Sequence, residues 1–546
     1  MEAESRWHHL SSRLIPKRLH LAAGHWVNFS NTTSTDHVLW SAARVSTIVW
    51  ASVTLMYLLT LTADYYWDGI TFALQIEKIA KGDSYIALLF HQNHLLYNSI
   101  GFLLYKAFQI LGIAVRAITL LQILNAIVGG LAVAVFFRLA ERVTCNRYVA
   151  LVCAAALAVC AAWWKISTDA DAYILASLFV LIAAYNLLGE NPRWFVAGTS
   201  LAGAMLIHQM ASLFFPAALL AIYFSTGIKH RLRFAIGMSA LAWIITLSAY
   251  YTCAVLLLDA TRPGDVIKWA LSNPTQKSLA SSPLSGLFLL PKLNIDAIVG
   301  HNFSVFRSQG GLFELTAVFA SLIAAFVFVL RISRSLEVGR ALRTLRTTVS
   351  LRKEPWVRNV LVLVTWITTY ALFLIFWGPL IYFRALYAPA IVLCCGLALA
   401  NYHRLTDTKP SGAAGFAVAA LALFNLGFYI GPNLRSDANV MVSAAERART
   451  QWAGKTVIFF ADRNEADTAF EYFNQETSWQ KLNPASVDAL SEGIAKIHKE
   501  GGEVWLNRGA IKLVGEDRLD DYDIPDEITV DAPNSPAHYV QVQPIE

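Results

Sequence analysis

Apolar runs recur from residue 42 to residue 431, and they decide what this chain can be. A helix needs about 20 apolar residues to cross ~30 Å of hydrocarbon, where backbone polar groups must bond internally. Hydropathy gives about eleven such runs, at 42–62, 116–137, 148–164, 172–188, 194–208, 211–225, 234–257, 312–331, 359–377, 384–400 and 413–431. They lack the period-2 alternation of a membrane β-barrel. Composition agrees: only 15% of residues are charged, against ~25% in soluble domains. The expected fold class is a polytopic α-helical membrane protein.

Charge orients the spans. Arg138, Arg142 and Arg147 follow the second run, Arg193 the fourth, and Lys229, Arg231 and Arg233 the sixth. The basic stretch 331–358 follows the eighth, and Arg404 and Lys409 follow the tenth. All fall on one side, as the positive-inside rule requires of a cytoplasmic face. Arg6, Arg13, Lys17 and Arg18 precede the first run, which reads as a signal anchor with segment 1–41 inside. The Asn28 and Asn31 sequons then face the cytoplasm and are discounted. Segments 63–115, 165–171, 258–311 and 378–383 face outward, with everything after Pro432. Five of the six cysteines lie inside apolar runs, so they read as small packing residues rather than disulfide partners.

The tail differs from the rest. It carries about 20 acidic against about 11 basic residues, while the whole chain is +6. Strands are expected at 456–462, 503–507 and 538–543, with helices at Glu465–Phe473 and Val487–Lys499. Residues 432–546 thus read as a small extracytoplasmic α/β domain. Its first strand is followed by no glycine-rich phosphate loop, so no nucleotide site is assigned.

Polar chemistry gathers on the outer face. WDGITFALQIE (67–77) opens an amphipathic helix, with Asp68 placed to cap it. Asp64 and Asp68 bracket an aromatic trio, where a carboxylate could act as general base or merely end a span. His91 and His94 begin a second, interfacial helix in the same loop; imidazoles there suit phosphate binding, acid–base work or a helix start. TDADAY puts Asp169 and Asp171, with Lys165 close by, in a hop of about seven residues. Two such carboxylates suit a divalent cation, Mg²⁺ or Mn²⁺, held against a phosphate. His208 stands at the turn between the fifth and sixth runs. Arg384 stands at the outer end of the tenth, where a guanidinium can clamp a phosphate or snorkel to lipid headgroups. Segment 258–311 adds Arg262, Lys268, His301, Arg307 and the Asn302 sequon as a possible cover over the site.

Four segments together resemble the GT-C superfamily of membrane glycosyltransferases, which use polyprenyl- or dolichyl-phosphate-linked sugars. WDGITFALQIE resembles that superfamily's first-loop aspartate and amphipathic helix. LFHQNHLLYNSIGFLLYKAF resembles the HPP-G-like segment of protein O-mannosyltransferase-like branches, without its prolines. STDADAYILASL resembles the second-loop acidic motif, and YFRALYAPAIVL the entry to a late span. The resemblance covers roughly 40–400, within a catalytic part at 42–431. It implies Asp68, with Asp64 nearby, as catalytic base. It implies Asp169 and Asp171 as the second acidic site, for metal or acceptor positioning. Arg384 and His208 would contact the lipid phosphate, with Lys165, His91 and His94 as further substrate-binding candidates. The expected partners are a polyprenyl-phosphate-sugar donor, an extracytoplasmic glycan, lipid or protein acceptor, and membrane lipid. No nucleic acid is expected, and a bacterial inner membrane suits the donor. A transporter or flippase would instead carry midplane charges and repeated halves, neither of which is visible. A glycan polymerase or ligase would keep the chemistry and change donor and acceptor.

Overall fold

The computed structural model describes residues 41–82, 84–189, 192–225, 229–258, 262–272, 283–300, 355–377, 381–406 and 412–435; in the C-terminal part it describes 439, 442, 445, 455–460, 465–474, 478–482, 487, 489–515, 522–525, 527–530 and 537–544. The chain divides into Met1–Val45 and Ser46–Glu546, and apart from residues 41–45 everything below belongs to the second unit. The expected span 312–331, the Asn28, Asn31 and Asn302 sequons, and His301 and Arg307 lie outside the described residues.

Helices dominate. In chain order they are α1 (Ala42–Leu58), α2 (Trp67–Lys81), α3 (Tyr97–Ile110), α4 (Ala117–Thr144), α5 (Arg147–Ala158), α6 (Ala161–Ser167), α7 (Tyr173–Leu187) and α8 (Trp194–Ile207). Then come α9 (Phe215–Phe224), α10 (Arg231–Leu258), α11 (Pro263–Leu271), α12 (Pro283–Ile298), α13 (Pro355–Trp377), α14 (Ala388–Thr406) and α15 (Ala413–Asn425). Among the described residues, four helices are long and apolar enough to cross a membrane, or five with the bent pair α5–α6 taken as one. Several expected runs become helices of 10–17 residues, too short to be counted by length. A polytopic integral membrane protein stands.

α4 is the central span. Its 28 residues rise about 42 Å. It packs against α5, α7 and α2, and most of its apolar residues are buried by protein. Small residues allow the close approach that holds membrane helices together. A Cβ on Gly130 would lie 2.1 Å from Thr54 Oγ1, and one on Gly129 would lie 2.6 Å from Ser167 Oγ. α10 instead leaves Ile236, Ile244 and Leu247 exposed, the face of a span against lipid.

The third run was expected as one helix, and it breaks. α5 and α6 meet at 65°. The Val159 carbonyl, at the break, accepts a 2.7 Å hydrogen bond from Asn425 Nδ2. Asn425 also accepts from the Gly300 amide at 3.0 Å. A side chain far along the chain satisfies the backbone that the bend releases. α6 therefore turns toward the mouth of the bundle.

The C-terminal stretch forms a six-stranded sheet in the order β2-β1-β3-β6-β4, with β5 also pairing β6. The strands are β1 (Lys455–Phe460), β2 (Ser478–Lys481), β3 (Gly502–Asn507), β4 (Tyr522–Asp523), β5 (Glu527–Val530) and β6 (Ala537–Pro544). β1 runs parallel to β2 and β3, while β6 is antiparallel to β3, β4 and β5. Among the described residues three helices accompany it: α16 (Glu465–Phe473), α17 (Leu490–Lys499) and α18 (Arg508–Val514). Val457, Val504, Leu506, Val540 and Val542 pack with Leu490, Ile494 and Ile511 into one apolar core. α16 leaves this core to lie along α2.

Candidate functional site

The site is built around residues 168–172, between α6 and α7. Asp169 and Asp171 are buried there. Two amides one turn apart on α4 shape the backbone. Asn125 Nδ2 donates to the carbonyls of Asp169 and Asp171, each at 2.7 Å. Gln122 Nε2 donates to the Thr62 and Thr168 carbonyls at 2.7 and 3.0 Å. These bonds tie the first outer loop to the second. The first turn of α2 then sits directly on the second loop. A Cβ on Gly69 would lie 2.6 Å from the Ala170 carbonyl oxygen, so only glycine permits the approach.

Asp68 lies within that first turn and does not cap it. The N-cap is Tyr66, two residues before the expected cap, and it makes no side-chain capping bond. The carboxylate is half-buried, at the positive end of the α2 dipole. It faces the Asp171 carboxyl closely enough for the two charges to interact. Asp171 Oδ1 accepts the Ala172 amide at 2.6 Å. Its buried Oδ2 has no hydrogen-bond partner among the described residues. Burial, then the Asp68 charge, then Asp169, hold the Asp171 carboxyl well above the usual carboxylate range.

Asp169 has a different environment. Its Oδ2 accepts from Lys165 Nζ at 2.9 Å and from the Tyr66 amide at 3.0 Å, and its Oδ1 accepts the Ala170 amide at 2.8 Å. Lys165 is buried, and it also donates to Thr62 Oγ1 at 3.2 Å and to the Asp64 carbonyl. Asp64 Oδ1 accepts from Asn439 Nδ2 at 3.1 Å. Lys165 and Asp169 thus form a fixed internal pair, and Asp64 is tied to the chain after Pro432. A cation shared by Asp169 and Asp171 does not fit this donor set. Asp169 is already neutralised by an ammonium, with both oxygens engaged. Among the described residues no group of three or more His, Cys, Asp or Glu side chains could hold a metal ion.

The histidines meet, though they are far apart in sequence. His94 and His208 lie edge to face with ring centroids 4.6 Å apart, and His91 stacks 5.8 Å from His94. Tyr173, two residues after Asp171, lies 4.5 Å from His208. His208 ends α8, and its Nδ1 accepts the Met210 amide at 3.2 Å. Burial and the neighbouring His91 pull its pKa down to about 3. Burial, then His208 and His91, likewise pull His94 well down. All this favours neutral imidazoles.

Arg384 is buried in the 3₁₀ turn Ile381–Leu386, just before α14. Its neighbours reach the site on both sides. Tyr382 lies 4.5 Å from the Tyr66 ring, and Phe383 lies 5.7 Å from the Tyr173 ring. Burial pulls the guanidinium pKa down, and Tyr387 and the Asp296 carboxylate of α12 partly offset this. Asp68, Asp169, Asp171, the histidines and the Arg384 turn are therefore linked through one continuous set of contacts.

Sequence reasoning missed Gln122, Asn125, Gly69, Tyr66, Tyr173 and Tyr382. The first two carried a signal: an amide pair at i and i+3 inside an otherwise apolar span. The aromatics carried none.

No family model matches the chain, and neither does any curated protein. Solved structures do. The apo structure of ArnT from Cupriavidus metallidurans superposes with a TM-score of 0.56 at 13% identity, covering 92% of this chain and 98% of that one. ArnT from the same organism bound to undecaprenyl phosphate gives 0.55 at 13% identity, covering 91% and 98%. The Archaeoglobus fulgidus oligosaccharyltransferase gives 0.43 at 13% identity, covering 85% and 69%. The chain therefore shares its fold with ArnT over nearly the full length of both chains.

Proposed function

We propose that the protein is an inverting glycosyltransferase that moves a sugar from a polyprenyl-phosphate-linked donor to an extracytoplasmic glycan, lipid or protein acceptor. The observation that carries this reading is the meeting of Asp68, Asp171 and the Arg384 turn at one end of the bundle. The ArnT structure with undecaprenyl phosphate supports the donor class. Charge supports the orientation. α4 begins at this end, beside Arg116, and ends among Arg138, Arg142 and Arg147. The latter end suits the cytoplasm, which leaves the site and the 432–546 domain outside.

In this reading Asp68 accepts the proton of the acceptor hydroxyl. The acceptor oxygen bonds to the anomeric carbon as the bond to the donor phosphate oxygen breaks, and configuration inverts. The electron pair leaves on the polyprenyl phosphate. Arg384 meets that phosphate, with Asp296 orienting the guanidinium. Asp171, kept protonated by its burial, donates a hydrogen bond toward the reacting groups and limits repulsion with Asp68. Lys165 acts through Asp169: the pair holds the second loop against Tyr66. His94, His208 and His91 form a neutral wall that donates to sugar or phosphate oxygens.

The test uses membranes containing the protein, a panel of polyprenyl-phosphate sugars labelled in the sugar, and matching nucleotide sugars. Label should pass from one lipid-linked donor to an acceptor, and EDTA should leave the rate unchanged. Transfer from a nucleotide sugar in lipid-extracted enzyme, or from no donor of either kind, would overturn the assignment.

A further inference from the structure

We propose that α16 is a positioning element of the site, holding the Asp68-bearing helix α2 through a buried hub at Glu77. This rests on the reading of Asp68 as the base. Glu77 is 4% exposed and sits near the end of α2 away from Asp68. Its Oε1 accepts three hydrogen bonds: Arg116 Nε at 2.9 Å, the Ala117 amide at 2.9 Å and the Tyr472 hydroxyl at 3.0 Å. One oxygen thus joins α2, the start of the central span α4, and α16.

Tyr472 closes the lock from the other side. It is fully buried, its hydroxyl accepts the Ile118 amide at 3.2 Å, and its carbonyl accepts from Arg116 at 2.8 Å. The Arg116 guanidinium lies 4.0 Å over its ring. Lys78 pairs with Glu471, and Phe473 lies 5.9 Å from the Tyr65 ring. Three consecutive residues of α16 therefore grip the first loop at 65, 77 and 78.

Geometry links this grip to the chemistry. Nine residues of helix separate Glu77 from Asp68, about 13 Å along the axis. A swing of about 5° at the far end moves the Asp68 carboxylate by roughly 1 Å, a misplacement that can cost on the order of 100-fold in rate. Apolar packing alone tolerates sliding and rotation. A buried carboxylate with three fixed donors admits one register, which is the best-attested use of buried polar contacts.

The experiment uses the full chain in lipid nanodiscs. Y472F removes the hydroxyl and keeps the ring beneath Arg116. K78E and E471K each reverse one partner of the pair, and the double variant restores it. Backbone amide exchange over 67–81 and the split between kcat and donor KM are measured together. Each single variant should raise exchange over 67–81, leave α4 and α7 protected, and lower kcat by about 10-fold or more with donor KM within about 2-fold. K78E/E471K should recover both readouts. Exchange over 67–81 unchanged in Y472F, or a double variant no better than either single, overturns the proposal. The exchange arm does not depend on turnover. The expected exchange pattern in an enzyme whose D68N variant keeps full activity would uphold the clamp and sink the assignment of Asp68.

Discussion

Three aspartates in close quarters have three different surroundings. Asp169 accepts hydrogen bonds from Lys165 and the Tyr66 amide. Asp171, one residue along, has a buried oxygen without a hydrogen-bond partner and a raised pKa. Asp68 is half-buried in the first turn of α2. The raised pKa of Asp171 has a consequence for stability. The folded state holds its proton more tightly than the unfolded state, so that contribution is complete at low pH and is lost as pH rises above the unfolded value of about 3.9. D171N keeps the acceptor for the Ala172 amide and removes the charge. Its melting temperature should exceed that of the parent by a few degrees at pH 8, with the gap closing toward pH 4, while transfer falls. Equal melting at pH 8 would mean that Asp171 is ionised without penalty. His208 has the opposite sign. Its pKa is depressed to about 3, so stability is full above about 6.5 and is lost as pH falls. At pH 5 the loss is about 2 kcal/mol. H208N, which can still accept the Met210 amide, should flatten the drop in melting temperature between pH 7 and pH 5. The Lys165–Asp169 pair was legible as an i, i+4 spacing in KISTD. The separation of Asp171 from its neighbour was not, because it depends on what α2 and α4 bring against it.

Secondary elements bring these residues together by contacts that local sequence does not announce. α2 could be read from Phe72, Ile76 and Ile79 at helical spacing, but its docking depends on Gly69. Alanine there would drive a Cβ into the Ala170 carbonyl, and backbone atoms on both sides cannot give way cheaply. G69A should destabilise by about 1–3 kcal/mol and lower transfer more than that loss explains, read by thermal melting and initial rates. A fully active, fully stable G69A would mean that α2 does not depend on this approach. The broken helix at 159–160 was illegible for a similar reason. Its partner, Asn425, lies on another span. In the C-terminal sheet, the strands with runs of valine and other apolar residues were expected, whereas β2, β4 and β5 were not. They are short, with four, two and four residues, and form by pairing with longer neighbours.

For the whole molecule, hydropathy and charge carry most of the architecture. Apolar runs mark where most of the helices lie, though several are too short to be counted as spans by length, and arginine placement separates the two ends of α4. Site geometry was legible only as a set of residues sharing one side, because the approach of the late Arg384 turn to an early loop is a tertiary event. The sidedness is testable. Tyr85 is 85% exposed near the site end, and Cys145 is exposed at the opposite end of α4. A membrane-impermeant thiol reagent should label Y85C in intact cells, and Cys145 only after permeabilisation. The reverse pattern would put the site in the cytoplasm and remove the proposed donor side. The most direct measurement of the central claim compares the parent and D68N with one lipid-linked donor at saturation, recording both donor retention and sugar transfer. D68N should retain donor and lose transfer by about 100-fold or more. Transfer by D68N at the parental rate would contradict the assignment of Asp68 as the base.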